Sequence, residues 1–240
     1  METKHAVILV AGDGKRLRPF TDSSPKCFAS VNGKRILDNA LYALSGAGCE
    51  HVRIVTGHFA DLVRRTITES FAGMKIEYVV NAAYSSTNSM FSLALGLANW
   101  DLPTWVIEGD VFMDPVIFKL PASPEIAWFV DSSTRHLDGA YVADDGKGRA
   151  LSLEIVRDLS ALRSEQSKSV GTLKLTRRGA GLLHGWLREG IAAGRQNVYY
   201  DLILGDHMAE TDVSITDVAG HKWYEIDTHL DLQHAVEMFS

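Results

Sequence analysis

The stretch "VAGDGKRLRPFTDSSPK", residues 10–26, follows directly on an apolar, β-branched run over 6–10. Such a run entering glycine reads as a buried strand that breaks into a loop. In an open parallel sheet, ligands bind beyond the carboxyl ends of the strands, and that is where this strand delivers the loop. Gly12 and Gly14 let backbone amides approach an anion with no Cβ in the way, and successive amides can form an anion-binding nest. Arg16 can fork onto phosphate oxygens, while Lys26 brings a compact charge from the far end of the loop, behind the stiffening Pro25. Two commoner glycine motifs are excluded. The dinucleotide fingerprint GxGxxG would need glycine where Leu17 stands, and the GxxxxGK[ST] loop is absent from the chain. A GxG pair alone is equally an ordinary surface turn, so the reading needs support from elsewhere.

Working outward, short β-branched runs over 6–10, 52–56, 76–80 and 104–107 alternate with helical patterns over 36–48, 59–73 and 89–100. Alternation of this kind predicts crossover units and a mostly parallel mixed sheet, hence an α/β, Rossmann-like three-layer α/β/α fold. After Asp110 the pattern turns extended, over 126–131, 140–142, 150–155 and 170–175. These segments either extend the sheet or build a lid over it, so one domain spanning 1–240 is expected, with about 126–175 as a small lid subdomain. Helical patterns over 177–194 and 198–210, a strand over 222–226 and a closing helix over 229–239 complete the chain.

With 240 residues, 46% hydrophobic and 22% charged, the chain can bury a sizeable core. A net charge of -6 argues against general affinity for nucleic acid or an anionic membrane, so any anion site is local. No run approaches the apolar length of a membrane span or of a signal peptide, and only Cys27 and Cys49 carry thiols. A reducing cytoplasmic setting is expected.

Two acidic positions supply a candidate metal site. Asp110 in "VIEGDVFMDP" follows an apolar strand and so lies at the same sheet edge as the glycine loop. In "WYEIDTHLDL", Glu225 and Asp227 stand two apart at a strand end, their side chains on one face. Hard oxygen ligands at two strand ends suit Mg²⁺, which takes one or two carboxylates plus phosphate oxygens and waters. Each acid alone is equally a helix N-cap, the bland role expected of Asp114 before Pro115.

The ordered string "LVAGDGKRLRPFTDSSPK" resembles the signature LAAGxGxRLxPLTxxxPK of the nucleotidyltransferases that make nucleotide sugars and related activated alcohols. It departs only at Val10, where alanine is usual, and at Phe20, where leucine is usual. The resemblance runs over about residues 6–236. It implies that Ala11, Gly12, Asp13, Gly14 and Lys15 bind the nucleotide, that Arg16 and Lys26 are catalytic at the phosphates, and that Asp110 and Asp227 hold the metal, with Glu225 assisting. "NAAYSSTNSMFSL", "SVGTLKLTRRGAGLL" and "NVYYDLIL" resemble segments of the small phosphocholine and phosphonate cytidylyltransferases in particular. A single helix follows Asp227, as expected of a chain without a C-terminal β-helix or acyltransferase extension.

CTP is the nucleotide so implied, with Asn81, Ser86 and Asn88 as the region that reads cytosine; Asn88 and Ser89 are also natural caps for the following helix. Arg157 and Lys174 suit an acceptor phosphate or phosphonate, and Glu225 and Tyr200 its remainder. Arg135 is either a further anion contact or a solvated loop charge. For a choline tail, Trp128, Tyr141, Tyr199 and Tyr200 are available as aromatic faces, and each is equally a core residue. The resulting expectation is a Mg²⁺-dependent enzyme that joins CMP to a small phosphate monoester or phosphonate and releases pyrophosphate, with a homodimer possible. The competing readings are a sugar-1-phosphate nucleotidyltransferase using UTP, dTTP or GTP, and a nucleotide-binding regulator without the chemistry.

Overall fold

Alternation of apolar residues along each strand sorts the chain into layers. Strand β1 (His5–Val10) turns Ala6, Ile8 and Val10 toward one core cluster and Val7 toward another, all nearly inaccessible to water. The structure, a computed structural model, describes residues 3–122 and 125–240. After β1 come a hairpin of β2 (Ser30–Val31) and β3 (Lys34–Arg35), then helix α1 (Ile36–Gly46) and strand β4 (His51–Thr56). Helix α2 (Ala60–Thr66), strands β5 (Ser70–Phe71) and β6 (Met74–Val80), helix α3 (Ser89–Leu97), and strands β7 (Thr104–Glu108) and β8 (Val111–Met113) follow. The later half holds β9 (Ile126–Asp131), β10 (Gly139–Asp144), β11 (Ala150–Val156), β12 (Gln166–Leu175), α4 (Arg177–Ala192), α5 (Tyr200–His207), β13 (Val213–Asp217), β14 (Trp223–Glu225) and α6 (His229–Met238).

The central strands run in the order β6-β4-β1-β7, all parallel. Past β7 the sheet turns antiparallel through β12, which pairs with β7, β9 and β10. Helix α1 and Val63 of α2 pack on one face with Trp105 and Phe129, while α3, α4 and α5 cover the other with Val7, Val106 and Trp128. Each such buried apolar side chain contributes about 1.5–3 kcal/mol, so the two clusters hold the layers together. This is the expected three-layer mixed sheet. No helix among the described residues is long and apolar enough to cross a membrane.

Two departures from expectation have local causes. The helical pattern over 59–73 stops at Thr66, where extended Ile67 begins a turn into β5, and Ala72 and Gly73, both at positive φ, close a β5–β6 hairpin. The strand β13 was not expected, yet its β-branched Val213 and Ile215 are recruited by parallel pairing with β9. Over 126–175, β9, β10, β11 and β12 all join the central sheet, while Gly139, Ala140 and Ile155 of the β10–β11 hairpin and Lys168 and Ser169 of β12 line the cleft.

Candidate active site

Strand order reverses at β1, because the chain adds β4 and β6 on one side and then returns to place β7 on the other. A crevice opens at such a switch point beyond the carboxyl ends. Here its walls are the glycine loop at the end of β1 and, at the end of β7, Gly109 and Asp110. Gly14 sits at φ 61, a left-handed conformation natural to glycine, and its carbonyl accepts from Leu17 N and Thr21 Oγ1. The fully buried Leu17 anchors this turn, so Arg16 is presented outward. A cavity of about 350 Å³ is bounded by the loop from Gly12 to Arg16, Lys26, Asp110 and Asp227.

Lys26 is the hub of that cavity. Its Nζ lies 2.8 Å from Asp110 Oδ2 and also bonds Asp227 Oδ1, while Arg16 Nη2 lies 2.7 Å from Asp227 Oδ2. Burial opposes its charge, but Asp110 and Asp227 more than offset this and hold the ammonium above its ordinary range. Burial likewise works against ionised Asp110, and Lys26 outweighs it to keep the carboxyl below its usual value. The two acids meet because β14 pairs antiparallel with β8, setting Glu225 opposite Val111, and because Ile226 N donates to Asp110 O.

A divalent cation fits these residues. Asp110, Glu225 and Asp227 each offer an oxygen within 4.8 Å of the others, and Asp110 Oδ1 is buried without a hydrogen-bond partner. Three hard carboxylates beside a glycine loop suited to an anion match Mg²⁺ chemistry.

A second cavity of about 260 Å³ adjoins the first and runs under the β10–β11 hairpin. Its walls carry Glu108, Asp201, Glu225 and Lys168, which are largely withdrawn from water. Lys168 Nζ lies 2.9 Å from Glu225 Oε2 and 3.0 Å from Ser169 O. Burial, then the charges of Asp201, Asp110 and Glu225, push the Glu108 carboxyl well up, and burial takes Asp201 up to about 6. At the rim Arg157 Nη1 pairs with Asp138 at 2.6 Å, and its Nη2 donates to Tyr199 Oη at 3.1 Å.

The expected site residues therefore separate. Ala11, Gly12, Arg16, Asn81, Asn88, Asp110, Arg157, Glu225 and Asp227 line the 260 Å³ cleft; Asp13, Gly14, Lys15 and Lys26 border the 350 Å³ cavity, where Lys15 pairs with Asp13. Asn81 Nδ2 is committed to Thr87 and Ser92 and its Oδ1 to Ala83 N, so it shapes the turn. Asn88 does cap α3, through Ser89 N, while still facing both cavities. Ser86 is exposed and donates to Ala83 O, outside both linings. Arg135 is spent on the carbonyls of Arg163, Ser164 and Ser132, as a loop clamp. Lys174 lies over the Trp105 ring, 4.9 Å from its centroid, away from the cleft. The cleft cation of β12 is instead Lys168, six residues earlier. Tyr200 is fully buried, and Tyr199 alone of that pair lines the cleft. Glu108, Lys168 and Asp201 were missed by sequence reasoning; an acid at the end of an apolar strand or the start of an apolar helix was the signal for Glu108 and Asp201, whereas Lys168 sits among Gln166, Ser167 and Ser169 and carried none.

Residues 6–115 match the MobA-like NTP transferase domain. Over 248 aligned positions the chain is 31% identical to the CMP-5'-(3-aminopropyl)phosphonate synthase of Streptomyces rubellomurinus, covering 98% of this chain and 38% of that protein. The chain thus spans little more than a third of that relative's length. It is 30% identical to the N-acetylmuramate alpha-1-phosphate uridylyltransferase of Neisseria meningitidis, with 96% of each covered. In fold it is similar to the solved CTP:phosphocholine cytidylyltransferase of Streptococcus pneumoniae, with a TM-score of 0.82, 20% identity and full coverage of both chains.

Proposed function

Because the chain belongs to the nucleotidyltransferase family with a MobA-like NTP transferase domain, we propose that it transfers CMP from CTP to a small phosphonate carrying a primary ammonium group and releases pyrophosphate. The observation that carries the acceptor is the excess of acid at the cleft floor. Glu108, Asp201 and Glu225 face one lysine, Lys168; burial pushes the Glu108 and Asp201 carboxyls up, and a cationic ligand is the partner that would let them ionise. A primary ammonium donates three hydrogen bonds to such acids. A quaternary one seeks aromatic faces, and Trp128, Tyr141 and Tyr200 are sealed in the core, leaving Tyr84 and Tyr199. The name of the Streptomyces relative points the same way.

Few groups are needed for the chemistry. A phosphonate oxyanion is already a nucleophile near neutral pH, so no side chain must remove its proton. The glycine-loop amides and Arg16 hold the triphosphate, and the acceptor oxygen forms its bond to the α-phosphorus as the bond to the β-phosphate oxygen breaks. Lys26 and Arg16 stabilise the charge gathering on departing pyrophosphate. Mg²⁺ held by Asp110 and Asp227, with Glu225 beside them, would supply further charge neutralisation. The Arg157 guanidinium at the rim is placed to exchange Asp138 for the acceptor's phosphonate. Burial pushes the Cys27 and Cys49 thiols up to about 12 and about 11, so both stay protonated, and two free cysteines suit a reducing, cytoplasmic setting.

Pyrophosphate release tests this across CTP, UTP, dTTP and GTP, each with 2-aminoethylphosphonate, 3-aminopropylphosphonate, phosphocholine, an amine-free phosphonate and glucose 1-phosphate. CTP with an aminoalkylphosphonate is expected to exceed every other pair in kcat/KM. Turnover of UTP with glucose 1-phosphate but none with CTP overturns the reading, and preference for phosphocholine overturns its acceptor half.

A further inference from the structure

We propose that Asp131 is a positioning residue for the metal-binding acids and acts through the indole of Trp223. The inference rests on the proposed function in taking Asp110, Glu225 and Asp227 as those acids.

Asp131 ends β9 and is 4% exposed, a buried carboxylate with every lone pair in use. Its Oδ1 accepts from Ser133 N, Ser133 Oγ and Thr134 N, and its Oδ2 accepts from Thr134 Oγ1 at 2.8 Å and Trp223 Nε1 at 2.7 Å. The Trp223 bond is not a local turn contact. It joins positions 92 residues apart and ties β14 to the end of the central sheet. Trp223 and Glu225 stand two apart on β14, hence on one face. Lys168 closes the loop. It is the cross-strand neighbour of Asp131 in the β12–β9 register, its Nζ lies 5.9 Å from the Trp223 ring centroid, and it bonds Glu225.

Asp131, Trp223, Lys168 and Glu225 therefore form a closed frame behind the acids. β14 is only three residues long and pairs with the equally short β8, so its ladder fixes its register weakly. The buried charge-assisted bond from Trp223 fixes the same three residues from the other side. Burial favours the neutral carboxyl, but the hydroxyl, indole and amide donors outweigh it and keep Asp131 ionised. Outer partners of metal ligands typically change metal affinity or activity by about 10–100-fold when removed.

The test is Mn²⁺ binding by electron paramagnetic resonance in the presence of CTP, on the full chain, for Trp223→Phe, Asp131→Asn and the double variant. Trp223→Phe keeps an aromatic ring in the site and removes the donor. Each single variant is expected to bind Mn²⁺ about 10-fold more weakly, and the double no more weakly than either single, because all three lose one shared bond. Saturating Mg²⁺ should return kcat to within about 3-fold of wild type, and far-ultraviolet circular dichroism in metal-free buffer should show each single variant folded, which separates weakened metal binding from a destabilised fold that the ion merely restabilises. Mn²⁺ affinity within 2-fold of wild type in Trp223→Phe overturns the positioning role, even if Asp131→Asn fails to fold. Absence of Mn²⁺ binding in the wild type overturns the metal reading as well, so the two failures are distinguishable.

Discussion

Replacing Lys26 with methionine keeps the apolar stem and removes the one charge that stands between Asp110 and Asp227. Breaking a fully buried ion pair by deleting one partner costs about 3–5 kcal/mol, because the charge left behind stays desolvated. The Lys26 side chain is 14% exposed and those of its partners 15% and 27%, so water reaches both carboxylates, and Asp227 keeps its pair with Arg16, so the cost falls to about 2 kcal/mol. For a chain of this length each kcal/mol moves the midpoint by about 2–4 °C, giving a drop of about 4–8 °C in metal-free buffer. Mg²⁺ should recover most of that loss in Lys26→Met and shift the wild type less, since the divalent ion would neutralise acids that the lysine already neutralises. Turnover should fall about 10²–10³-fold, the usual loss of one preorganised contact to a developing charge. Differential scanning fluorimetry with and without Mg²⁺, alongside pyrophosphate release, reads both effects. A midpoint unchanged in metal-free buffer, or turnover within 10-fold of wild type, refutes the assignment of Lys26 as the counter-charge of this cavity.

Asp201→Asn should raise KM for aminoalkylphosphonates by about 10-fold or more while leaving KM for CTP and for an amine-free phosphonate near wild type, because it deletes one charged hydrogen-bond partner. The same carboxyl carries a stability signature. Its folded value of about 6 lies above the ordinary 3.8, so the folded state binds the extra proton between those values and wild-type stability falls as pH rises through that window. Asp201→Asn should therefore melt higher than wild type at pH 7, with the difference vanishing below pH 4; a lower melting point at pH 7 contradicts this. Gly171→Ala tests the floor of the cleft. Gly171 holds φ 68, and a Cβ there would stand 2.6 Å from Glu108 Oε2, so a loss of about 1–3 kcal/mol is expected in urea unfolding. An unchanged unfolding midpoint would mean that Glu108 yields freely.

Legibility in the sequence tracked how local each feature is. The strands β1, β4, β6 and β7 and helices α1 and α3 declared themselves through apolar periodicity and glycine stops, which depend on near neighbours in the chain. The glycine loop, Lys26, Asp110 and Asp227 were visible because each sits in a compact string of distinctive residues. Lys168 was not, since it lies in a β12 strand whose buried character comes from β9 and β10 on its two flanks. Lys174, chosen in its place, lies on the same face of β12 but six residues further along, opposite Ala127 and Trp105, a difference of position along the strand that no composition rule reveals. Asp201 and Glu108 were passed over because a lone acid at a helix start or strand end is ordinarily a cap.

The amino-acid order by itself determined the layered α/β fold and the anion loop at the end of β1, because helix and strand periods and glycine conformations are local properties of the chain. Only the tertiary structure decided which charges meet. Lys26 lies 84 residues from Asp110 and 201 from Asp227, and it joins them because the β8–β14 pairing returns the end of the chain to its start. Folding likewise gathers Glu108, Asp201 and Glu225 around Lys168 under the β10–β11 hairpin. Within that low-dielectric cleft the surplus of acid, a sum over distant segments, is what the proposed cationic acceptor would answer.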